Sequence, residues 1–115
     1  MDYDVIIVGA SFAGLTIASQ LQGRVLVIDK KPIGAGQTSA CCTPEWVLKR
    51  INCTNLIRQS MTYFVVHSRG EAITYPIASP FCTFDYAPLC QQLWRQSRAT
   101  FLQARVLGLR DQHRV

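Results

Sequence analysis

Six consecutive residues have the types and spacing to hold a diphosphate: Gly9, Ala10, Ser11, Phe12, Ala13 and Gly14. They follow the pattern G-x-G-x-x-G, with serine in place of the second glycine. A glycine at 9 permits a tight turn from strand to helix. A small residue at 11 lets the backbone approach a pyrophosphate, and a glycine at 14 lets the helix pack closely on the strand. The free N–H groups at the helix start, with the helix dipole, then attract the anion. Ser11 adds only a hydroxymethyl group, and its hydroxyl is itself a donor to a phosphate. Asp29 stands twenty residues after Gly9. A carboxylate there accepts hydrogen bonds from an adenosine ribose and repels a 2′-phosphate. Lys30, next to it, faces a phosphate or solvent.

These residues need a strand, a helix and a second strand to position them. Val5, Ile6, Ile7 and Val8 form an unbroken β-branched run, which predicts a central parallel strand over 4–9, covered on both faces. Residues 11–21 predict a helix with apolar positions at Phe12, Leu15, Ile17, Ala18 and Leu21, stopped by Gly23. Residues 24–29 predict a second strand, completing a βαβ unit.

The segment 31–40 is a Gly-, Pro- and Ser-containing loop. Beyond it, Thr43 is expected to cap a short helix with Pro44 at its first position and Glu45 at the positive end of its dipole. Residues 62–67 and 72–77 predict a hairpin, with Pro76 at an edge or end of the second strand. Asp85 is expected to cap a helix with Pro88 in its first turn. Leu89, Leu93 and Trp94 would form the apolar face and Gln92, Arg95 and Arg98 the outer one. A third strand is expected over 101–109. Trp46 and Trp94 are expected to pack in the core rather than stack on a base.

Composition supports a folded chain. It has 115 residues, one domain's worth, with 49% hydrophobic and 17% charged residues. The net charge of +5 is spread out; the longest basic runs are the pairs Lys30-Lys31 and Lys49-Arg50. A diphosphate ligand suits this pattern better than nucleic acid does. The start is acidic and no apolar run approaches the roughly 20 residues that span a bilayer. A cytoplasmic location is therefore the expectation, with no transmembrane segment and peripheral membrane contact left open. The cysteines are Cys41, Cys42, Cys53, Cys82 and Cys90. Their odd count and spacing give neither a disulfide framework nor a zinc site. They read as small reduced hydrophobes. Cys41 and Cys42 sit in the glycine-rich loop, where a thiol beside a flavin would be a redox partner only if its pKa were low. His67 reads as a strand residue rather than a base, and His113 has no partner at metal spacing. The sequence identifies no catalytic residue.

Three stretches of the chain resemble a known family. They are residues 5–15 with the glycine fingerprint, residues 25–34 continuing through Gly36, Gln37, Thr38, Ser39, Ala40 and Cys41, and the Phe84-Asp85-Tyr86 segment with Leu89, continuing to 104–108. Together they are similar to the amino-terminal FAD-binding part of geranylgeranyl-reductase-like NAD(P)/FAD-dependent oxidoreductases, within the glutathione-reductase-type Rossmann flavoproteins. The resemblance implies an α/β fold: a Rossmann-like βαβ dinucleotide-binding core with parallel strands, plus part of a β-hairpin insertion, at about 60–80, from a substrate domain. It implies FAD as cofactor, with NAD(P)H as candidate electron donor. It places Gly9, Ser11, Ala13 and Gly14 on the pyrophosphate and Asp29 on the adenosine ribose with Lys30 beside it. Gln37, Thr38 and Ser39 would lie near the ribityl chain and flavin ring, and backbone at Val106 near the adenine. Two departures stand out: the stretch from Gly14 to Asp29 is shorter than usual, and Phe81 occupies a position where relatives have arginine.

The family's second FAD segment, with its Gly-Asp pair, is absent. Residues 1–115 are therefore expected to be a single, incomplete FAD-binding domain, inactive alone, whose partner is the missing carboxy-terminal part of the same protein. The expected reaction is reduction or hydroxylation of a small apolar, isoprenoid-like substrate. The alternatives are a non-catalytic dinucleotide-binding or interaction remnant, and an NAD-binding domain. Low solubility or self-association is expected of the isolated chain.

Overall fold

The computed structural model describes residues 2–110; His113 and the other residues beyond 110 lie outside it. The βαβ unit forms where the sequence places it. Strand β1 (Val5–Val8) leads through the glycine turn into helix α1 (Phe12–Gln20), and β2 (Val25–Asp29) follows. The short strand β3 (Cys42–Pro44) runs directly into helix α2 (Glu45–Arg50), and a 3₁₀ turn covers Thr54–Leu56. Strands β4 (Gln59–Ser68) and β5 (Glu71–Thr83) form the hairpin, followed by helix α3 (Tyr86–Arg95) and strand β6 (Thr100–Gln103). Two three-stranded sheets result. One is parallel, in the order β1-β2-β6; the other is antiparallel, in the order β3-β5-β4. This is the mixed α/β, Rossmann-like architecture that the fingerprint requires.

The core lies between the parallel sheet and the helices. Leu15 and Ala18 of α1, Val25 and Val27 of β2, Leu48 of α2 and Leu89, Cys90 and Leu93 of α3 are buried together. Helix α3 buries Tyr86, Leu89, Cys90 and Leu93, the i, i+3, i+4, i+7 stripe of an amphipathic helix. Trp94 packs on Phe101 with ring centroids 6.1 Å apart.

Several expectations need correction. Strand β1 is covered on one face only. Val5 and Ile7 pack against the core, while Ile6 and Val8 are 58% and 61% exposed. Parallel pairing aligns Ile6 with Leu26 and Val8 with Ile28, and Ile28 with Leu102. That second face carries no helix among the described residues. Ile17 of α1 and Trp46 of α2 also face outward, Trp46 at 54% exposure. Thr43 is not a helix cap: it pairs with Cys82 in β3, and Pro44, which pairs with Phe81, takes the cap position instead. Glu45 does fall in the first turn. Asp85 occupies the cap position of α3, but its carboxylate does not cap the helix. It accepts from Arg58 Nη1 at 2.8 Å. Gln92 is half-buried on the outer side of α3, where its amide bridges to Asn52 O and to the Asn55 side chain. The last strand stops at Gln103, and Leu107 and Leu109 are exposed.

The hairpin is longer than its two apolar runs indicate. Pro76 pairs with Tyr63 beside the register shift between Met61 and Tyr63. β3 reaches only residues 81–83 of β5, so the proline lies on a free edge and its missing N–H breaks no ladder bond.

Candidate functional site

The glycine turn has the geometry its pattern demands. Gly9 has φ +110°, and its N–H donates to Ile28 O at 2.8 Å. At Gly14 an added Cβ would lie 1.9 Å from the carbonyl oxygen of Gly9 and 3.2 Å from Ile7 Cγ2. Only glycine allows helix and strand to approach so closely. An added Cβ at Gly9 would meet nothing within 4 Å, so the turn is open on that side.

Ser11 is the N-cap of α1, and the first helical bond runs from Leu15 N–H to Ser11 O at 2.9 Å. No side chain caps the helix. The N–H groups of Phe12, Ala13 and Gly14 precede that first bond, and Ala13 is exposed. They are the orphan donors that bind anions at a helix start. The Ser11 hydroxyl instead meets Tyr86 OH at 2.8 Å and Thr38 Oγ1 at 3.1 Å.

Asp29 ends β2 and fastens the turn. Its Oδ2 accepts from Ala10 N–H at 2.8 Å and its Oδ1 from Lys31 N–H at 3.1 Å. Burial pushes this carboxyl up, but the N–H groups of Ala10, Lys31 and Lys30 and the charge of Lys31 hold it below the usual carboxylate value. A carboxylate offers about four acceptor sites, so these N–H groups leave it capacity to accept a further hydrogen bond. Beside it lies a crevice of about 230 Å³ lined by Val8, Gly9, Ile28, Asp29, Lys30, Ala104, Arg105 and Val106. Whole small-molecule sites occupy roughly 300–1,000 Å³, so this crevice is smaller than a complete site of that kind. Arg105 was missed from sequence. Its only signal was its place beside Val106, and it adds a second cation to that of Lys30.

The predicted site residues thus fall into groups. Gly9, Asp29, Lys30 and Val106 line one crevice, and Ala13 and Gly14 supply the adjoining helix start. Thr38 meets Ser11. Gln37 and Ser39 turn elsewhere. Gln37 Nε2 donates to Ser39 O at 2.8 Å, and Gln37 borders a hollow with Gly34, Cys41 and Tyr86. Ser39 borders an apolar crevice of about 260 Å³ with Phe12, Val47, Leu89 and Leu93. Tyr86 and Lys31 were not among the expected residues, yet both reach the Ser11 hydroxyl cluster.

Cys41 is not an activated nucleophile. Cys41 is buried, with φ +57°. Burial and then the charge of Asp85 push its thiol up, opposite to the shift of a reactive thiolate.

No known protein-family model matches the sequence, and no curated protein matches it. Solved structures do share the fold. The myxobacterial chondrochloren halogenase CndH, described as a new variant of FAD-dependent halogenases, matches 86% of this chain with TM-score 0.68 at 15% identity. A mutant of PqsL from P. aeruginosa matches 87% with TM-score 0.73 at 15% identity. Halogenase PltM, solved with phloroglucinol and FAD, matches 96% with TM-score 0.63 at 14% identity. The chain spans 28%, 33% and 30% of these proteins' lengths, respectively. What it shares with them is a fold, that of a stretch of larger proteins.

Proposed function

We propose that this chain binds the ADP half of FAD and forms the amino-terminal part of a longer FAD-dependent oxidoreductase. The observation that carries the reading is the meeting, at the carboxyl end of a parallel sheet, of the open Gly9 turn, the uncapped start of α1 and the Asp29 crevice. Each part matches one part of the ligand. The N–H groups of 12–14 face a pyrophosphate, Asp29 accepts from ribose hydroxyls, and Val106 with Ile28 flanks an adenine. Lys30 and Arg105 add positive charge for the anionic ligand. Bound FAD would supply the hydride or electron chemistry; the residues described here bind and orient it.

The finer reading is a geranylgeranyl-reductase-like enzyme that reduces or hydroxylates a small apolar substrate, with NAD(P)H as donor, in the cytoplasm. The apolar hairpin would roof the substrate cavity, and the rest of the protein would complete the flavin site. Residues 1–115 would then be one incomplete domain.

Calorimetric titration of the chain with FAD, ADP and NAD tests this. FAD should bind at micromolar concentration, ADP should compete, and Asp29→Ala should weaken both. Tighter binding of NAD than FAD would favour an NAD-binding domain. Absence of FAD binding at tens of micromolar would overturn the proposal.

A further inference from the structure

We infer that Tyr86 is a positioning residue that relays the Lys31 ammonium to the Ser11 hydroxyl and sets that hydroxyl as a donor to the ligand's diphosphate. The inference rests on the dinucleotide-binding reading of the same site and explains why serine stands at the second glycine position.

The direction of the hydrogen bonds follows from counting protons. An ammonium has three protons and accepts nothing. Lys31 Nζ lies 2.6 Å from Ala35 O, 2.8 Å from Gly36 O and 3.2 Å from Tyr86 OH. All three protons are therefore in use, and Tyr86 OH is an acceptor towards Lys31. Its own proton must go elsewhere. Ser11 Oγ at 2.8 Å is nearer than Thr38 Oγ1 at 3.2 Å. Ser11 then accepts from Tyr86 and keeps its own proton to give. Its partner is Thr38 at 3.1 Å or an incoming phosphate oxygen, and an anion is the stronger acceptor.

The surroundings hold this chain of donors in place. Tyr86 is buried at the first position of α3, and its ring packs edge-on against Phe12 with centroids 5.0 Å apart. Lys31 Nζ also sits 5.1 Å from the Tyr86 ring centroid, within range of a cation–π attraction. Chains of hydrogen bonds polarise one another, so the Lys31 charge strengthens the Ser11 donor without touching the ligand. Ser11 lies 75 residues from Tyr86 in sequence.

The test compares a ligand that has the diphosphate with one that lacks it. ADP and adenosine are titrated into the wild-type chain, Tyr86→Phe, Ser11→Ala and the double variant. Tyr86→Phe removes the neutral hydrogen bond that orients Ser11 and should weaken ADP about 3- to 10-fold, and leave adenosine within twofold. In the Ser11→Ala background Tyr86→Phe should cost less than twofold. Equal ADP affinity in wild type and Tyr86→Phe would overturn the relay. So would an equal loss for adenosine and ADP, or an undiminished loss in the Ser11→Ala background. If Tyr86→Phe fails to fold, Ser11→Gly decides: it restores the fingerprint glycine, and unchanged ADP affinity there overturns the relay. Failure of the wild type to bind ADP or FAD would instead overturn the dinucleotide reading on which the relay rests.

Discussion

Replacing Gly14 with alanine should destabilise the chain sharply, although helix propensity alone favours alanine by about 1 kcal/mol. The added Cβ would sit 1.9 Å from Gly9 O, and that oxygen must retreat by about 1 Å to reach even 3.0 Å. The obstacle is backbone in the turn that joins β1 to α1, so no side chain can rotate away. Withdrawing α1 would also loosen Leu15 and Ala18, both fully buried against β2 and its neighbours. Overpacking costs about 1–3 kcal/mol, and a backbone target puts this case near the top of that range. A loss of about 3 kcal/mol, at roughly 4–8 °C per kcal/mol for a small domain, lowers Tm by roughly 12–24 °C. Thermal unfolding followed by far-UV circular dichroism measures it. Gly70→Ala is the control. Gly70 has φ +81° and an added Cβ meets nothing within 4 Å, so that variant carries only left-handed strain, about 1–2 kcal/mol. A Gly14→Ala protein that melts at or above Gly70→Ala would refute the close-approach reasoning.

Three further outcomes are expected. Because the Asp29 carboxyl is held below its usual value when folded, its stabilisation is complete above the unfolded pKa and is lost as pH falls through the folded one. Asp29→Asn should lower Tm at pH 7 and flatten its acid-side decline; an unchanged pH profile would contradict this. Cys42 is the exposed cysteine, whereas Cys41, Cys53, Cys82 and Cys90 are buried with thiols pushed up by burial. A thiol reagent should therefore label one cysteine quickly in the native chain and five in denaturant, and a second fast thiol would count against the packing described. Arg58→Ala should move Tm by only a few degrees, since its 2.8 Å ion pair with Asp85 is well exposed on both sides and such pairs contribute about 0–1 kcal/mol.

The local parts of this fold were legible because short-range patterns encode them. The run Val5–Val8, the Gly9 and Gly14 spacing, Asp29 and the apolar stripe of α3 each need only neighbouring residues to be read. Strand β3 was not legible. Its three residues become a strand only by pairing with 81–83, far along the chain. The exposure of Ile6 and Val8 was illegible for another reason: an apolar run reports that a strand can be buried on both faces, not that something covers both. Lys31 and Tyr86 escaped notice because hydrogen bonds spanning 55 and 75 residues join them to each other and to Ser11. Trp46 misled because an aromatic on a six-residue helix has too few neighbours to fix which side faces in.

The bare face of the parallel sheet makes stability a property of concentration. Ile6, Val8 and Leu102 project from it around the nearly buried Leu26. Any surface that covers this face binds the folded chain and not the unfolded one, so it draws the equilibrium towards the fold by mass action. The melting temperature of the isolated chain should then climb with its own concentration, and the affinity of a covering surface could be read from the melting curve alone.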